Sequence, residues 1–303
     1  VYKRQKKNSA DGRLLIWQCG INMVKDAPWI GHGLGSFEAH YMDYQANFFK
    51  QCGQSRFSML ADNVKQPFNE YLGLLLNFGI IGLLVLLLLM VIIIYCYRNP
   101  SVEKQIAFYS LSSIGIFSFF SYPFAYPFVW VVTFLSIFII TSEYIKPLFS
   151  NILIKKIACM FILTYSLFGS SKLFERIQAE LDWGKASTLA LCKSYNETLP
   201  TYERLEKMFV SNPYFLYNYA AVLQEMKQYT ESLEVALKCR QYWADYDLEL
   251  IIGENYQQLN KPELAEKYYN SASMMCPSRF LPLYKLFHLY KTNGEKERSL
   301  AMA

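Results

Sequence analysis

A charge-free stretch at residues 75–97 constrains this chain more than any other feature of its sequence. Crossing the hydrocarbon core of a bilayer takes about 20 predominantly apolar residues in a helix, and this stretch is long enough. Tyr95, Tyr97 and Arg98 stand at its end, where aromatic and basic side chains anchor a helix at the membrane surface. The sequence therefore predicts a membrane-spanning helix here, and a composition of 53% hydrophobic and 17% aromatic residues agrees with a membrane protein.

Three more apolar runs follow and predict about four transmembrane helices in all. They lie at residues 106–122, 124–142 and 152–170. The first two are separated by Ser121–Pro127, whose prolines and tyrosines indicate a tight turn at a membrane face. We therefore assign residues 71–174 to a membrane domain and residues 1–70 to a loop outside the bilayer.

From about residue 175 the composition becomes that of a soluble helical domain, and the chain repeats itself. Small and aromatic residues recur 33 positions later: Ala220, Leu223, Ser232, Ala236 and Cys239 return as Gly253, Tyr256, Ala265, Tyr269 and Ala272, followed by Pro277. A partial third copy surrounds Phe287 and Tyr290. This spacing is typical of tetratricopeptide repeats. The expected fold class is all-α: a multi-span helical membrane domain followed by a tetratricopeptide-like α-solenoid at 175–303.

Charge predicts the orientation of the spans. The basic residues flanking them are Arg98, Lys104, Lys146, Lys155 and Lys156. The turn at 121–126 has no charge, so the positive-inside rule places the basic segments in the cytoplasm and this turn outside. Residues 1–70 and the repeat domain then share the outer side. The basic cluster Lys3–Lys7 opposes this orientation and suits a flank that meets anionic lipid. Because the chain begins at Val1, we expect further membrane helices to precede it.

The sequence offers no motif for a cofactor, a metal or nucleic acid. Its seven cysteines include no CxxC pair, and the formal net charge of +5 is dispersed. An Asp-x-Asp at Asp245 and Asp247 stands just before a repeat helix, where capping explains it better than a metal site. We therefore expect no cofactor, no metal and no nucleic-acid partner.

Residues 11–26 show the period of an amphipathic helix. Leu15 or Ile16, Cys19 or Gly20, and Met23 or Val24 share one face. Asp11 stands where an N-cap is expected, and Asp26-Ala27-Pro28 should end the helix. Arg13 would then lie in the first turn, where an anion is favoured, or it pairs with a carboxylate or lipid phosphate.

Two polar segments complete a possible site. Gly31, Gly33 and Gly35 alternate with other residues and allow close approach of backbone, either as a re-entrant or membrane-surface turn or as a phosphate cradle. His32 and His40 lie in and after this segment and are two of three histidines.

Asn69 and Glu70 directly precede the first span, either as a helix cap or as groups that orient and deprotonate an acceptor. These residues suit a reaction whose leaving group is an anion, which Arg13 would neutralise through paired hydrogen bonds.

Together these motifs resemble the O-antigen ligase and polymerase family over roughly residues 9–140. The residues that carry the resemblance are Arg13, Trp17, Lys25, Asp26, Pro28, Gly31, Gly33, Gly35, Ser36, Phe37, Asn69, Glu70, Tyr71, Gly79 and Gly82. The resemblance implies a bacterial inner-membrane glycosyltransferase that needs no metal. Such an enzyme moves a glycan from undecaprenyl diphosphate to lipid A core, a protein hydroxyl or a growing glycan, on the periplasmic side and with inversion. The tetratricopeptide extension is similar to that of some members.

The resemblance also implies roles for individual residues. Arg13 matches the loop arginine thought to contact the diphosphate, and Asn69 matches the second position of the family's His-Asn motif. Phe68 stands where many ligases have the histidine, so Glu70 or His40 is expected to assist the acceptor. The candidate catalytic residues are Arg13, Glu70 and His40, and the candidate substrate-binding residues are Asn69, His32, Gly33 and Gly35.

Two other classes of function compete with this hypothesis. A non-catalytic scaffold would use the spans to anchor repeats that recruit a protein partner for envelope assembly. A transporter is less well supported, because the predicted spans contain almost no ionisable residues of the kind that mark transport pathways.

Overall fold

Every regular element in the described part of the chain is helical, with no strand, as the sequence predicts. The computed structural model describes residues 2–53, 55–98, 100–145 and 152–301. The helices before the repeat domain are α1 (Tyr2–Asp26), α2 (Ser36–Cys52), α3 (Glu70–Cys96), α4 (Val102–Phe117), α5 (Pro127–Ile145) and α6 (Ile152–Leu191). Those that follow are α7 (Tyr195–Leu205), α8 (Pro213–Glu225), α9 (Tyr229–Arg240), α10 (Tyr246–Gln258), α11 (Pro262–Met275), α12 (Leu281–Thr292) and α13 (Lys296–Ala301).

The chain folds as two compact units, and each unit is built from segments that are not contiguous in the sequence. One unit contains residues 1–23, 35–65 and 176–303, and the other contains residues 24–34 and 66–175. The first unit therefore combines the repeat domain with parts of the N-terminal loop region. The second combines the membrane helices with the glycine-rich turn after α1.

Helix α1 shows the predicted buried face but begins earlier than predicted. Leu15, Cys19 and Met23 are buried, and the helix ends at Asp26, before Pro28. The predicted start at Asp11 is wrong, because the helix already includes Tyr2. Lysine, arginine and glutamine are good helix formers, and the segment before Asp11 contains no glycine or proline to stop the helix. Arg13 therefore lies in the middle of α1, not in its first turn.

Three helices in the described residues are long and apolar enough to cross a membrane. They cover Glu70–Cys96, Pro127–Tyr144 and Lys155–Leu191. Helix α4, which corresponds to the predicted span at 106–122, has 16 residues and is about 24 Å long. That length falls short of the roughly 30 Å hydrocarbon core.

The basic segments that orient the spans meet at one end of this unit. Lys104, at the start of α4, is buried, and its Nζ lies 2.8 Å from the carboxylate of Glu143 near the end of α5. Cys96, Ala107 and Ile140 pack together beside this pair. The start of α4 and the end of α5 thus lie next to each other. Lys146 and the side chains of Lys3–Lys7 lie outside the described residues.

Helices α8 to α13 form three successive helix pairs, which confirms the solenoid predicted from the 33-residue period. The recurring small residues lie where helices cross: Ala220, Ser232, Ala236, Ala265 and Ala272 are fully buried. A Cβ on Gly253 would stand 2.6 Å from the Tyr269 ring, so this crossing has room only for glycine. The small residues therefore set how closely the repeat helices approach.

Asp245 caps α10, as the sequence analysis favoured. Its carboxylate accepts hydrogen bonds from the backbone N–H groups of Asp247 (2.8 Å) and Leu248 (3.4 Å). The side chain is buried, and this burial raises the pKa of Asp245 from 3.8 to about 6 despite the two hydrogen bonds. The charged form is therefore retained at a cost in stability.

Replacing Asp245 with Asn tests this cost, because Asn keeps an oxygen that accepts the two hydrogen bonds and carries no charge. The raised pKa means that the wild type loses stability as the pH rises from about 4 to about 6. We expect the variant to be more stable by about 3 kcal/mol at pH 7 and equally stable below pH 4. Thermal unfolding across this pH range measures the difference. A variant that melts below the wild type at pH 7 contradicts the assignment.

Candidate functional site

The first span is broken at Gly79, and a loop from the preceding segment enters the break. Gly79 is the tenth residue of α3, and its backbone angles are φ 62° and ψ −159°, a conformation far from helical. This point lies roughly 14 Å along the helix from its start. The loop that meets it contains residues 27–33, the glycine-rich turn singled out in the sequence.

On the N-terminal side of the break, two helix carbonyls accept hydrogen bonds from the loop. The N–H of His32 donates to the carbonyl of Leu76 at 2.8 Å, and the N–H of Gly33 donates to the carbonyl of Asn77 at 3.0 Å. In an unbroken helix these carbonyls would accept from residues 80 and 81. The loop therefore supplies the donors that the break removes.

On the C-terminal side, the loop supplies the acceptors. The N–H of Ile80 donates to the carbonyl of Pro28 at 2.8 Å, and the N–H of Ile81 donates to the carbonyl of Trp29 at 3.2 Å. Two of the helical hydrogen bonds that the break interrupts, those from residues 80 and 81, are thus replaced by hydrogen bonds to the loop. An unpaired backbone group in hydrocarbon costs several kcal/mol, so this exchange permits a break within a span.

Glycine is required on both sides because the two backbones nearly touch. A Cβ on Gly79 would stand 2.3 Å from the Trp29 carbonyl oxygen, and a Cβ on Gly31 would stand 2.6 Å from the Asn77 backbone. Of the three alternate glycines, Gly31 therefore serves the close backbone approach expected from the sequence. A Cβ on Gly33 or Gly35 would meet nothing within 4 Å. The backbone N–H groups of His32 and Gly33 are both used in these contacts with α3.

The tip of the loop exposes apolar side chains. Trp29, Ile30 and Leu34 are 67%, 72% and 81% exposed. Beside them an apolar groove of about 460 Å³ lies along α3, lined by Ile30, Leu74, Phe78, Ile81, Gly82 and Val85. Apolar side chains exposed next to a membrane span favour a turn that lies in the bilayer or at its surface, the first of the two interpretations of these glycines.

Asn69 and Glu70 fix the start of α3 to the turn after α4. The side-chain oxygen of Asn69 accepts from the N–H of Leu72 at 2.9 Å, which confirms Asn69 as the helix cap. Its Nδ2 donates to the carbonyl of Phe119 at 3.2 Å. Glu70 Oε1 accepts from the N–H of Phe124 at 3.0 Å. The carboxylate of Glu70 is therefore held in one orientation, half-buried next to residues 118–126.

Phe68, which directly precedes Asn69, has a left-handed backbone conformation. Its φ is 53°, which is uncommon for a residue with a large side chain. The Phe68 ring packs edge-on against Tyr122, with centroids 5.3 Å apart. The aromatic ring thus packs against the turn after α4.

The remaining candidates lie in the other unit. Arg13 is half-buried in the middle of α1, and Gly35 precedes α2 in a left-handed conformation with φ 75°. His40 is exposed on α2, one turn after the helix begins. Arg13, Gly35 and His40 thus belong to the unit that contains the repeats, while His32, Gly33, Asn69 and Glu70 belong to the membrane unit.

Sequence analysis missed two groups of contacts. It did not identify Pro28 and Trp29 as partners of α3, although an isolated glycine within a charge-free span was a signal for a break. It also did not foresee that residues 36–65 pack on the repeat domain, since no local pattern reveals contacts between segments about 200 positions apart.

The fold and the broken span define a helical membrane protein with an inserted loop and a helical-repeat domain. Residues 1–87 match the family model described as O-Antigen ligase. This match confirms the resemblance over that part of the chain, which includes α1, the glycine-rich turn and the break in α3. No curated protein sequence matches the chain.

Two solved structures are similar to part of the chain. One is described as the MamA RS-1 ArsTM double mutant, with 18% identity and a TM-score of 0.39 over 41% of this chain and 70% of that chain. The other is YrrB, described as a TPR protein with an unusual peptide-binding site, with 18% identity and a TM-score of 0.36 over 40% of this chain and 63% of that one.

Replacing Gly79 with Ala tests the inserted loop. The new Cβ would meet the Trp29 carbonyl in a backbone conformation essentially reserved for glycine, so we expect a loss of about 3 kcal/mol or more. Gly169→Ala is the matched control, because a Cβ there meets nothing within 4 Å on helix α6. Thermal unfolding in detergent measures both. Equal melting temperatures for the two variants would disprove the close approach.

Proposed function

We propose that this protein is a glycan transferase of the O-antigen ligase type, which moves an oligosaccharide from undecaprenyl diphosphate to a hydroxyl acceptor. The observation that carries the proposal is the match of residues 1–87 to the O-antigen ligase family, which covers Arg13 and Asn69-Glu70. We place the protein in a bacterial inner membrane, with the loop region and the repeats in the periplasm. The acceptor is lipid A core, a protein hydroxyl or a growing glycan.

The proposed reaction is an inverting displacement. The acceptor oxygen attacks the anomeric carbon, the bond from that carbon to the diphosphate oxygen breaks, and the electron pair leaves with the diphosphate. A guanidinium is suited to this leaving group because its N–H donors match phosphate oxygens in pairs. We assign this task to Arg13, which would stabilise negative charge as it develops in the transition state.

The acceptor proton needs a base, and two side chains are candidates. Glu70 is held by the Phe124 N–H through one oxygen, so its orientation is fixed for proton transfer through the other. His40 is exposed on α2. Asn69, His32, Gly33 and Gly35 are proposed to contact the donor or acceptor, with Asn69 also capping α3.

The competing proposal is a membrane-anchored scaffold for polysaccharide assembly. The observation in its favour is the solenoid of α8 to α13, because such helix pairs commonly bind peptides or proteins along an extended surface. A scaffold needs the spans only as anchors. It predicts no chemical requirement for Arg13, Glu70 or His40, and the two proposals therefore separate by mutation.

Arg13→Ala in the full-length protein tests the leaving-group assignment. We expect transfer from the lipid-linked donor to fall at least 100-fold, as when a charge-stabilising donor is removed, and Arg13→Lys to retain part of the rate. Arg56→Ala is the control, since Arg56 is an exposed arginine stacked on Phe57 and has no assigned contact with substrate. Normal transfer by a folded Arg13→Ala protein would contradict the enzyme proposal for this loop.

Glu70→Gln separates proton transfer from structure, because the amide oxygen of Gln still accepts the Phe124 N–H hydrogen bond. If Glu70 is the base, we expect a rate loss of about 100-fold or more with an unchanged melting temperature. His40→Ala applies the same test to the histidine. Transfer rates and melting temperatures of both variants decide which residue acts, and full activity in both excludes either as the base.

A further inference from the structure

Residues 36–65, which include α2, pack against the repeat domain within a single compact unit. Helix α2 lies along α11, and the segment after it follows the edge where α9 and α11 end and α10 begins. Repeat domains of this type present surfaces for peptides and helices. Here the helix in contact with the surface comes from the same chain.

A buried amide joins α2 to the end of α11. Gln45 is completely buried, and its Nε2 donates to the carbonyl of Met275 at 2.7 Å. Nε2 also lies 3.3 Å from the carbonyl of Asp62, and the Oε1 of Gln45 accepts from the Tyr41 hydroxyl at 2.7 Å. Donor and acceptor of this amide are therefore both satisfied. Undocking α2 would break the hydrogen bond to Met275, so this contact specifies one position of the helix.

An ion network joins the same helix to α9 and α10. The guanidinium of Arg240 at the end of α9 pairs with Asp43 of α2 and with Glu249 of α10. Glu249 is only 2% exposed, so Arg240 is already held inside the repeat domain. A buried charge pair with hydrogen bonds specifies geometry even where its net stabilisation is small. Asp43 completes the network from outside the repeats.

The extended residues after α2 add contacts at their far end. The carboxylate of Asp62 lies 2.8 Å from the guanidinium of Arg279, and Asn63 Oδ1 accepts from the N–H of Tyr246 at 3.3 Å. The Lys65 ammonium stands 4.3 Å from the centre of the Tyr214 ring. At 4.3 Å this is a cation–π contact.

The first turn of α2 is fixed as well. The carbonyl of Glu38 accepts from the N–H of Ala244 at 2.9 Å, and its carboxylate accepts from the hydroxyl of Tyr214 at 3.4 Å. Contacts thus lie near both ends of the segment, at residues 38–45 and 62–65, and involve charged, amide and backbone groups at particular positions. Non-specific apolar packing would not need this matching of donors and acceptors.

We propose that residues 36–65 are the resident ligand of the repeat domain, so that this edge of the solenoid acts in cis on the loop and does not recruit a separate protein. The inference deepens the proposed function, on which its second half rests: the repeats hold α2, with His40 on its exposed side, for glycan transfer. Asp43 and Gln45 are then positioning residues. A separate protein partner would bind elsewhere on the solenoid.

The test is hydrogen–deuterium exchange on the full-length protein in lipid nanodiscs, with the double variant Asp43→Asn, Gln45→Ala. Both changes lie on α2 and leave the repeat sequence intact. We expect amides of residues 36–52 to exchange at least tenfold faster, while amides of α10 and α11 stay within twofold of wild type. Unchanged exchange in residues 36–52 would overturn the docking.

The matched control is the double variant Asp182→Asn, Gln224→Ala. Asp182 of α6 pairs with Arg204, and Gln224 bonds to Ile251 and Asn255. All five residues belong to the unit that contains the repeats, and these bonds do not involve residues 36–65. We expect it to leave the exchange of residues 36–52 unchanged. Faster exchange of α2 in this control would mean that general loosening of the repeats, not loss of the specific contacts, releases the helix, and would count against the proposal.

Transfer assays on the same proteins test the positioning. We expect the α2 double variant to lower kcat at least fivefold with little change in KM for the donor, and Asp43→Glu, which keeps the carboxylate, to retain both exchange protection and rate. Release of α2 with an unchanged kcat would refute positioning. If wild-type protein transfers no glycan from lipid-linked donors, the proposed function fails, and the exchange contrast alone decides the docking.

Discussion

The exchange of hydrogen bonds at Gly79 is the interaction on which the membrane unit depends. A break in hydrocarbon leaves N–H groups and carbonyls of the helix without their helical partners, and each unpaired group is costly there. The loop at residues 28–33 pairs with two of these N–H groups and two of these carbonyls. It does so only because Gly31 and Gly79 let two backbones approach more closely than any side chain permits. The course of the chain between the end of α1 and Leu34 is thereby fixed by backbone atoms, whatever the neighbouring side chains are.

In the other unit, polar groups select one packing position of α2. Gln45 and the network of Asp43, Arg240 and Glu249 would each lose partners if α2 shifted by one turn. Apolar contacts alone tolerate such shifts more readily. These polar contacts join α2 to the repeats within one compact unit.

The sequence predicted those features that local periodicity encodes. The stripe of Leu15, Cys19 and Met23 and the 33-residue repeat are present, because burial of a helix face imposes a period on its own residues. Of about four predicted spans, three correspond to described helices long and apolar enough to cross a membrane. The predicted start of α1 is wrong. Asp11 is a good cap residue, but it lies within a segment of good helix formers, so the helix continues through it. Only the glycines of the inserted loop give a signal in the sequence, because hydrogen bonds between backbone groups do not require particular side chains.

The candidate site was predictable to a different degree for each residue. Asn69 was expected to cap α3 and does, because a cap is a local interaction. The hydrogen bond that holds Glu70 against the turn after α4 comes from a residue more than 50 positions away, and the sequence gives no signal for it. The docking of α2 on α11 joins still more distant segments. The structure therefore adds the contacts between distant elements, which the sequence alone does not predict.

The central claim is that an arginine outside the bilayer receives the charge released when a glycan leaves its polyprenyl carrier. The most direct measurement is a cryo-electron microscopy structure of the full-length protein in nanodiscs with undecaprenyl diphosphate bound. The account predicts phosphate oxygens about 3 Å from the Arg13 guanidinium. A diphosphate bound elsewhere, or an Arg13 side chain pointing into lipid away from it, would contradict the account.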